Sequence, residues 1–166
     1  IKPIRKDIVD RMGLYTRKHT IKDGQMIDDL DGKPFSSDFS FTRFLVPWMC
    51  DYQGWALFLD VDILVLGDIS ELFEYANDDY AVMVSKNTQR FEWASVILYN
   101  CDKCDEMTPE MVEITNALHT MSWLPAELIG DLPREWNHLV GYDEMRDDAQ
   151  LVHFTQGIPV CPETEG

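Results

Sequence analysis

The sequence predicts an α/β fold class, because strand patterns and helical patterns alternate along one chain. Three short runs, Trp55 to Leu59, Tyr80 to Val84 and Trp93 to Tyr99, are apolar at nearly every position. Such runs are typical of strands covered on both faces, as parallel strands of an α/β sheet are. With 166 residues, 45% of them hydrophobic, the chain is expected to form one domain around one sizeable core.

The N-terminal third has the weakest patterns. Residues 1–8 are compatible with a short strand, and the polar stretch that follows predicts nothing definite. A serine or aspartate at residues 36–38 can cap a helix with Phe41 and Phe44 on its apolar face. Pro47 removes one backbone donor and is expected to kink this helix.

Two later helices have recognisable starts. Asp68 and Glu71 have the spacing of a capping box for a short helix after the first strand. Thr108 can cap a second helix, with Pro109 in its first turn. The apolar stripe expected for this second helix consists of Met111, Ile114, Leu118 and Met121.

Three segments complete the order of elements. Residues 85–92 form a polar link that is expected to be exposed. Residues 123–137 contain two prolines and a glycine, which predicts a loop with short helical turns at most. Residues 150–154 are expected to form a last short strand, followed by a turn-forming run up to residue 159.

The composition limits the partners. Thirty acidic residues against fourteen basic ones give a formal charge of -16, which disfavours binding to nucleic acid or anionic lipid. No run is long enough for a transmembrane segment and no signal peptide is visible, so a cytoplasmic protein with reduced cysteines is expected. Cys101 and Cys104 have the spacing of half a zinc site, but no second pair follows closely.

Asp60 and Asp62 lie inside an otherwise apolar stretch. In an extended chain, residues i and i+2 point the same way, so the two carboxylates are expected on one face. Paired carboxylates resist burial unless a cation or another partner takes up their charge, and a hard divalent ion does so. The alternative is that the pair begins a solvated turn.

Four ordered pieces of the sequence resemble the GT-A nucleotide-sugar glycosyltransferases, most closely glycosyltransferase family 8, the glycogenin and lipopolysaccharide galactosyltransferase type. The pieces are residues 41–44, Leu59-Asp60-Val61-Asp62, residues 93–100 and Val152-His153-Phe154-Thr155-Gln156-Gly157. The resemblance implies a Rossmann-like mixed sheet flanked by helices. It also implies transfer of a hexose from a nucleotide-sugar donor, expected to be a UDP-sugar, to a carbohydrate or other hydroxyl acceptor.

The resemblance implies a metal site as well. In such enzymes both aspartates of the motif and a histidine near the C-terminus hold Mn²⁺ against the diphosphate of the donor, and Mg²⁺ is the alternative ion. The matching residues here are Asp60, Asp62 and His153. Taken alone, His153 is more often a structural histidine than a metal ligand.

Further positions match donor-binding or catalytic residues of the family. Arg43, 17 positions before Asp60, matches an arginine that contacts the donor sugar or phosphate, and its alternative is a surface ion pair. Glu127 falls near the reacting carbon, as a base, a nucleophile or a sugar-hydroxyl acceptor, and its alternative is a plain surface glutamate. The donor-binding positions implied by the resemblance are Arg43, Val61, Ala94, Ser95, Asn100 and Gly157.

The sequence departs from the family at two places. No apolar strand for the base and ribose precedes Lys22, so the chain is expected to be one catalytic domain, residues 1–166, that lacks its first nucleotide-binding strand. Gly157 is followed by Ile158 and Pro159, where the family usually continues to a lysine. Two other functions fit the acidic pair: a phosphatase of the haloacid dehalogenase type, and an inactive module that binds a nucleotide sugar.

Overall fold

The computed structural model describes residues 1–158, and strands of two to five residues alternate with short helices along that part of the chain. The α-helices are α1 (Lys6–Arg11), α2 (Val46–Met49), α3 (Ile69–Leu72) and α4 (Pro109–Ile114). The strands are β1 (His19–Lys22), β2 (Gln25–Asp28), β3 (Pro34–Phe35), β4 (Trp55–Leu59), β5 (Ile63–Val65), β6 (Val82–Val84), β7 (Val96–Asn100), β8 (Ile129–Asp131), β9 (His138–Leu139) and β10 (Leu151–His153).

A mixed four-stranded sheet forms the centre of the fold, in the order β4-β7-β6-β8. β7 runs antiparallel to both β4 and β6, whereas β6 and β8 are parallel. Leu59 of β4 lies opposite Val96 of β7, which brings the end of β4 beside the start of β7. Within residues 1–158 the outer edge of β4 has no neighbouring strand.

The two faces of this sheet pack against two separate cores. Ala56 and Phe58 of β4 contact the first core, and Leu57 and Leu59 contact the second, since alternate residues of a strand point to opposite faces. The largest fully buried side chains are Phe44, Leu45, Ile97, Tyr99, Met107, Leu118 and Met121 in the first core, and Leu72, Leu98, Leu132 and Trp136 in the second.

Two smaller sheets flank the central one. β5, β10 and β9 form the first, in which β10 is antiparallel to β5 and parallel to β9. β1, β2 and β3 form an antiparallel meander near the N-terminus. The meander is tied to the rest of the chain by Arg17, which forms a buried ion pair with Asp28 and donates to the carbonyl of Val112.

The predicted strand β4 exists, but its predicted parallel pairing is wrong. The expectation that both faces are covered holds, since each face contacts one core, yet β4 is antiparallel to β7 and lies at the sheet edge. An apolar run reports how well a strand is covered and carries no information on the direction of its neighbour.

The N-terminal strand predicted for residues 1–8 is also wrong, because helix α1 begins at Lys6. Ion pairs one turn apart, from Lys6 to Asp10 and from Arg11 to Asp7, support it. Pro47 lies in the first turn of α2 and therefore does not kink a longer helix, since a first-turn residue needs no backbone N–H partner.

Two of the three predicted helix caps are confirmed. The carboxylate of Asp68 accepts a hydrogen bond from the Ser70 N–H at the start of α3, and the Thr108 hydroxyl accepts one from the Met111 N–H in α4. The cap expected at residues 36–38 is wrong, because the helical turn there begins at Thr42 and has no side-chain cap.

The stripe expected for α4 is wrong in its extent, because the helix ends at Ile114, whose side chain is exposed. Leu118 and Met121 lie beyond the helix, but both are buried in the first core.

Two expectations about loops are corrected. The link at residues 85–92 is not uniformly exposed, since Ser85 and Asn87 are buried. Residues 123–137 contain the strand β8 in addition to short helical turns, and its central Gly130 lies directly against the side chain of Tyr80. The last predicted strand is confirmed as β10, while the end of the predicted turn, at residue 159, lies outside the described residues.

No helix among residues 1–158 has the length and apolar character needed to cross a membrane.

Candidate active site

The two aspartates occupy the turn that links the central sheet to the smaller β5-β10-β9 sheet. β4 ends at Leu59, and the Asp60 N–H still donates to the carbonyl of Ser95, as if the strand ran one residue further. The chain then turns, and β5 begins at Ile63. Asp60 and Asp62 therefore lie where the apolar strand emerges from between the two cores.

His153 is brought to the aspartates by strand pairing. β10 pairs with β5 so that His153 lies opposite Ile63, and the Phe154 N–H donates to the carbonyl of Asp62. This register puts the imidazole Nε2 of His153 3.3 Å from Oδ1 of Asp62.

The three predicted metal ligands form one cluster. One ligand atom from each of Asp60, Asp62 and His153 can be chosen so that all three lie within 4.8 Å of one another. Atoms that bind one ion at about 2.0–2.3 Å lie at most about 4.6 Å apart, so a side-chain movement of a few tenths of an ångström brings the three atoms around a single centre. Carboxylate oxygens suit hard divalent ions, and imidazole nitrogen is a common ligand of transition-metal ions.

Arg43 is the counter-ion of Asp60. Its Nη1 and Nη2 lie 3.0 and 2.9 Å from the two carboxylate oxygens, which is a two-point ion pair. Its Nε donates to the carbonyl of Ser40, and Nη1 also donates to that of Ala94. Since the side chain is only 11% exposed, the predicted donor-binding arginine is already held firmly by the protein.

The titration of the site follows from its burial. The pKa of Asp60 is raised to about 6, mainly by burial and in part by the Asp62 carboxylate, while Arg43 acts in the opposite direction. Burial lowers the pKa of His153 below its usual value, so the imidazole is mostly neutral at neutral pH. A neutral imidazole has the lone pair that a metal ligand needs.

These groups line a cavity of about 450 Å³. Its walls come from the N-terminal meander, the turn with Asp60 and Asp62, and the C-terminal segment after β10. Exposed Phe91 and Tyr142 meet edge to face, with 6.5 Å between ring centroids. His119 also lines the cavity, and its hydrogen-bond partner there is the carbonyl of Ser40.

Four other positions predicted to bind the donor differ in burial and in location. Ala94 and Ser95 are buried just before β7, and the Ala94 carbonyl accepts a hydrogen bond from Arg43. Val61 is 87% exposed between the aspartates, and Asn100 is buried at the far end of β7, where its amide donates to Tyr80. None of these four residues is among those that line the cavity.

Glu127 and Gly157 also lie away from the cavity wall. Glu127 is exposed on the turn Ala126–Leu128, so the geometry gives no support to its predicted place beside the reacting carbon. Gly157 adopts a φ of 113°, a region that favours glycine, and its N–H donates to the carbonyl of Phe154. Its placement is that of a turn residue after β10.

Sequence reasoning missed Glu92. This residue was expected in an exposed polar link, but it lines the cavity on the turn Arg90–Ser95, with its Oε2 3.8 Å from Nδ1 of His153. Burial raises the pKa of Glu92 to about 7, and the nearby carboxylates of Asp60 and Asp62 contribute. The one available signal was an acidic residue between two aromatic ones, Phe91 and Trp93.

Comparison with known proteins decides the family. Residues 4–125 match the sequence profile described as "Glycosyl transferase family 8". The chain belongs to this family. Protein CDI of Arabidopsis thaliana is 35% identical over 185 residues, which cover 96% of this chain and 67% of that protein. The family predicted from the four ordered sequence pieces is thereby confirmed.

Solved structures show the fold of this family 8 chain. WbbM, a bifunctional glycosyltransferase, superposes with a TM-score of 0.59 at 14% identity, covering 75% of this chain and 32% of WbbM. The glycosyltransferase GlyE of Streptococcus pneumoniae superposes with a TM-score of 0.53 at 20% identity, covering 69% of this chain and 37% of GlyE. The predicted GT-A class is confirmed, while the chain spans only about a third of the length of these two structures.

Proposed function

We propose that this chain is the catalytic domain of a metal-dependent glycosyltransferase. It moves a hexose from a nucleotide diphosphate sugar, with a UDP-sugar as the expected donor, to a hydroxyl acceptor. The observation that carries the proposal is the meeting of Asp60, Asp62 and His153, from two distant segments, at the wall of a 450 Å³ cavity in a family 8 chain.

The chemistry of the reaction explains why these residue types are needed. When the sugar leaves the donor, negative charge grows on the departing nucleoside diphosphate. A divalent ion bound by Asp60, Asp62 and His153, Mn²⁺ or Mg²⁺, would stabilise that charge. The carboxylates supply oxygen ligands, and the neutral imidazole supplies a nitrogen without adding positive charge.

Arg43 contributes in a different way from the direct donor contact that the resemblance implies. Four of its five N–H groups have acceptors among the described residues: Ser40, Ala94 and both oxygens of Asp60. At most one N–H is left for a donor phosphate. We therefore assign Arg43 mainly to orienting Asp60 and to offsetting the negative charge of a site that must accept an anionic donor.

The donor sugar is proposed to lie toward the start of β7, where Ala94 and Ser95 end the turn Arg90–Ser95 that also carries Glu92. Small residues there leave room for a sugar, as the resemblance implies.

The outer edge of β4 is the place that we propose for the base and ribose. The Cys101 N–H donates to the carbonyl of Gly54 and the Asp60 N–H to that of Ser95, so the backbone groups of Ala56 and Phe58 face β7. The backbone groups of Trp55, Leu57 and Leu59 then point to the open edge of β4. We propose that the nucleotide-binding strand expected from the resemblance pairs along this edge.

A binding panel tests the proposal. Calorimetry or thermal shift with UDP-, GDP- and dTDP-sugars, each with and without Mn²⁺, should show binding that requires Mn²⁺ and is strongest for UDP-sugars. Asp62→Asn should abolish the part of nucleotide-sugar binding that depends on Mn²⁺, while leaving the fold intact. Asp78→Asn is the matched control, since Asp78 is an exposed aspartate away from the cavity. Unchanged binding by Asp62→Asn would disprove the site assignment.

Turnover separates the proposal from its alternatives. Release of a nucleoside diphosphate that depends on a hydroxyl acceptor supports a transferase, whereas Mn²⁺-dependent donor binding without release across an acceptor panel supports an inactive binding module. The phosphatase alternative loses its basis, because the chain matches family 8 and has Ile63 and Leu64 where that phosphatase class has Gly-Thr.

A further inference from the structure

The two ring nitrogens of His153 face two different carboxylates. Nε2 lies 3.3 Å from Oδ1 of Asp62, inside the proposed metal cluster, and Nδ1 lies 3.8 Å from Oε2 of Glu92. His153 is buried, and its Nδ1 has no hydrogen-bond partner among the described residues. A buried polar atom without a partner is costly, so this nitrogen calls for an acceptor or a donor nearby.

We propose that Glu92 is a positioning residue, which accepts a hydrogen bond from Nδ1 of His153 and thereby aims Nε2 at the divalent ion. The inference rests on the proposed function, since it takes Nε2 to be a metal ligand. A ligand nitrogen carries no hydrogen, so the single N–H of a neutral ring must then be on Nδ1. Oε2 of Glu92, 3.8 Å from Nδ1, is an acceptor that this N–H can reach after a small movement.

The main chain of Glu92 is held in place for this role. Its N–H donates to the carbonyl of Gln89 at 2.8 Å, and its own carbonyl accepts from the Ser95 hydroxyl at 2.6 Å. The Asn137 amide donates both to this carbonyl and to Ser95 Oγ. Since the backbone is anchored, a side-chain rotation that moves Oε2 by about 1 Å is enough to bring it to hydrogen-bond distance from Nδ1.

Glu92 could instead act on the ion only as a third negative charge. Its side chain is 15% exposed and lines the same cavity as Asp60 and Asp62. The two roles differ in what they require: a hydrogen bond needs an oxygen acceptor and the ring of His153, whereas a charge effect needs neither. Glu92→Gln keeps an oxygen acceptor and removes the charge, and Glu92→Ala removes both.

The test is a double-mutant cycle on Mn²⁺ affinity, measured from the EPR signal of free Mn²⁺ on the full chain. Glu92→Ala should weaken Mn²⁺ binding by about 10- to 100-fold, the usual effect of losing a group that orients a metal ligand. Glu92→Gln should weaken Mn²⁺ binding by less than about 3-fold. In a chain that already carries His153→Ala, adding Glu92→Ala should weaken the remaining binding by less than about 2-fold. Glu74→Ala, at an exposed glutamate, is the control.

The outcomes separate this inference from the proposed function. Equal losses for the Gln and Ala variants, or the same loss with and without His153, would show a charge effect and overturn the positioning role. No Mn²⁺ binding by the unmodified chain would overturn the metal site and this inference together.

A second measurement needs no variant. Nitrogen-15 NMR of the Mg²⁺-loaded chain should show the proton of His153 on Nδ1, and a proton on Nε2 would overturn the inference.

Discussion

Lowering the pH from 7 to 5 should weaken Mn²⁺ binding, mainly through Asp60. Burial, with help from the Asp62 carboxylate and against Arg43, raises the pKa of Asp60 to about 6. A carboxylate must lose its proton before it can bind a cation, so protons and Mn²⁺ compete for this group. Because the pKa is raised, the competition falls within a pH range in which binding can be measured.

The size of the effect follows from the pKa. Competition at a group with a pKa of about 6 multiplies the apparent Kd by about 11 at pH 5, about 2 at pH 6 and about 1.1 at pH 7. An aspartate with an ordinary pKa of about 3.9 would change the Kd by less than about 1.1-fold over the same range. Protonation of His153, whose pKa burial lowers, adds to the loss at the acidic end.

Calorimetry in two buffers with different heats of ionisation gives both the Kd and the number of protons released. We expect about 0.9 proton per Mn²⁺ from Asp60 at pH 5 and about 0.1 at pH 7. A Kd that changes by less than twofold between these pH values, with no proton release at pH 5, would refute the reasoning about Asp60.

Three further predictions concern stability, and urea denaturation measures each of them. Arg17→Met should lower the free energy of unfolding by about 3–5 kcal/mol, because it leaves the 2% exposed Asp28 without its partner, whereas Arg11→Met at an exposed position should change it by less than about 1 kcal/mol. Thr108→Ala should cost about 1 kcal/mol through loss of the α4 cap, and an unchanged stability would contradict that assignment. Gly130→Ala should cost about 1–3 kcal/mol, since its Cβ would approach side-chain atoms 2.7 and 2.9 Å away, and a neutral result would show that these side chains move freely.

The acidic half of the site could be predicted because it is local. Asp60 and Asp62 interrupt an apolar stretch, which marks both carboxylates as groups that need a partner. The extended chain expected for the pair is wrong, because both residues lie in the turn between β4 and β5. His153 could not be joined to them from its own surroundings, since its place depends on the pairing of β10 with β5. Only the order of four sequence pieces, through the family resemblance, pointed to it.

Glu92 and the direction of β4 could not be predicted, because long-range contacts decide both. Glu92 lies in a stretch whose composition is that of an exposed link, and it becomes part of the site only because the turn Arg90–Ser95 folds against the end of β4. The apolar pattern of β4 reports two covered faces, which the structure has, and is the same for parallel and antiparallel neighbours.

The helix starts were predictable for the opposite reason. Asp68 and Thr108 bond to N–H groups two and three residues further along, so the sequence window contains both partners. The lengths of the helices were harder to predict. Helix α4, for example, ends before an irregular segment in which Ala117 adopts a positive φ.

Pulsed EPR of the Mn²⁺-loaded chain with UDP bound tests the central claim most directly. A nitrogen coupling that disappears in His153→Ala, together with phosphorus couplings from the diphosphate, is the result expected if Asp60, Asp62 and His153 hold the ion against the donor. Bound Mn²⁺ without a nitrogen coupling, or with one that persists in His153→Ala, would contradict the account.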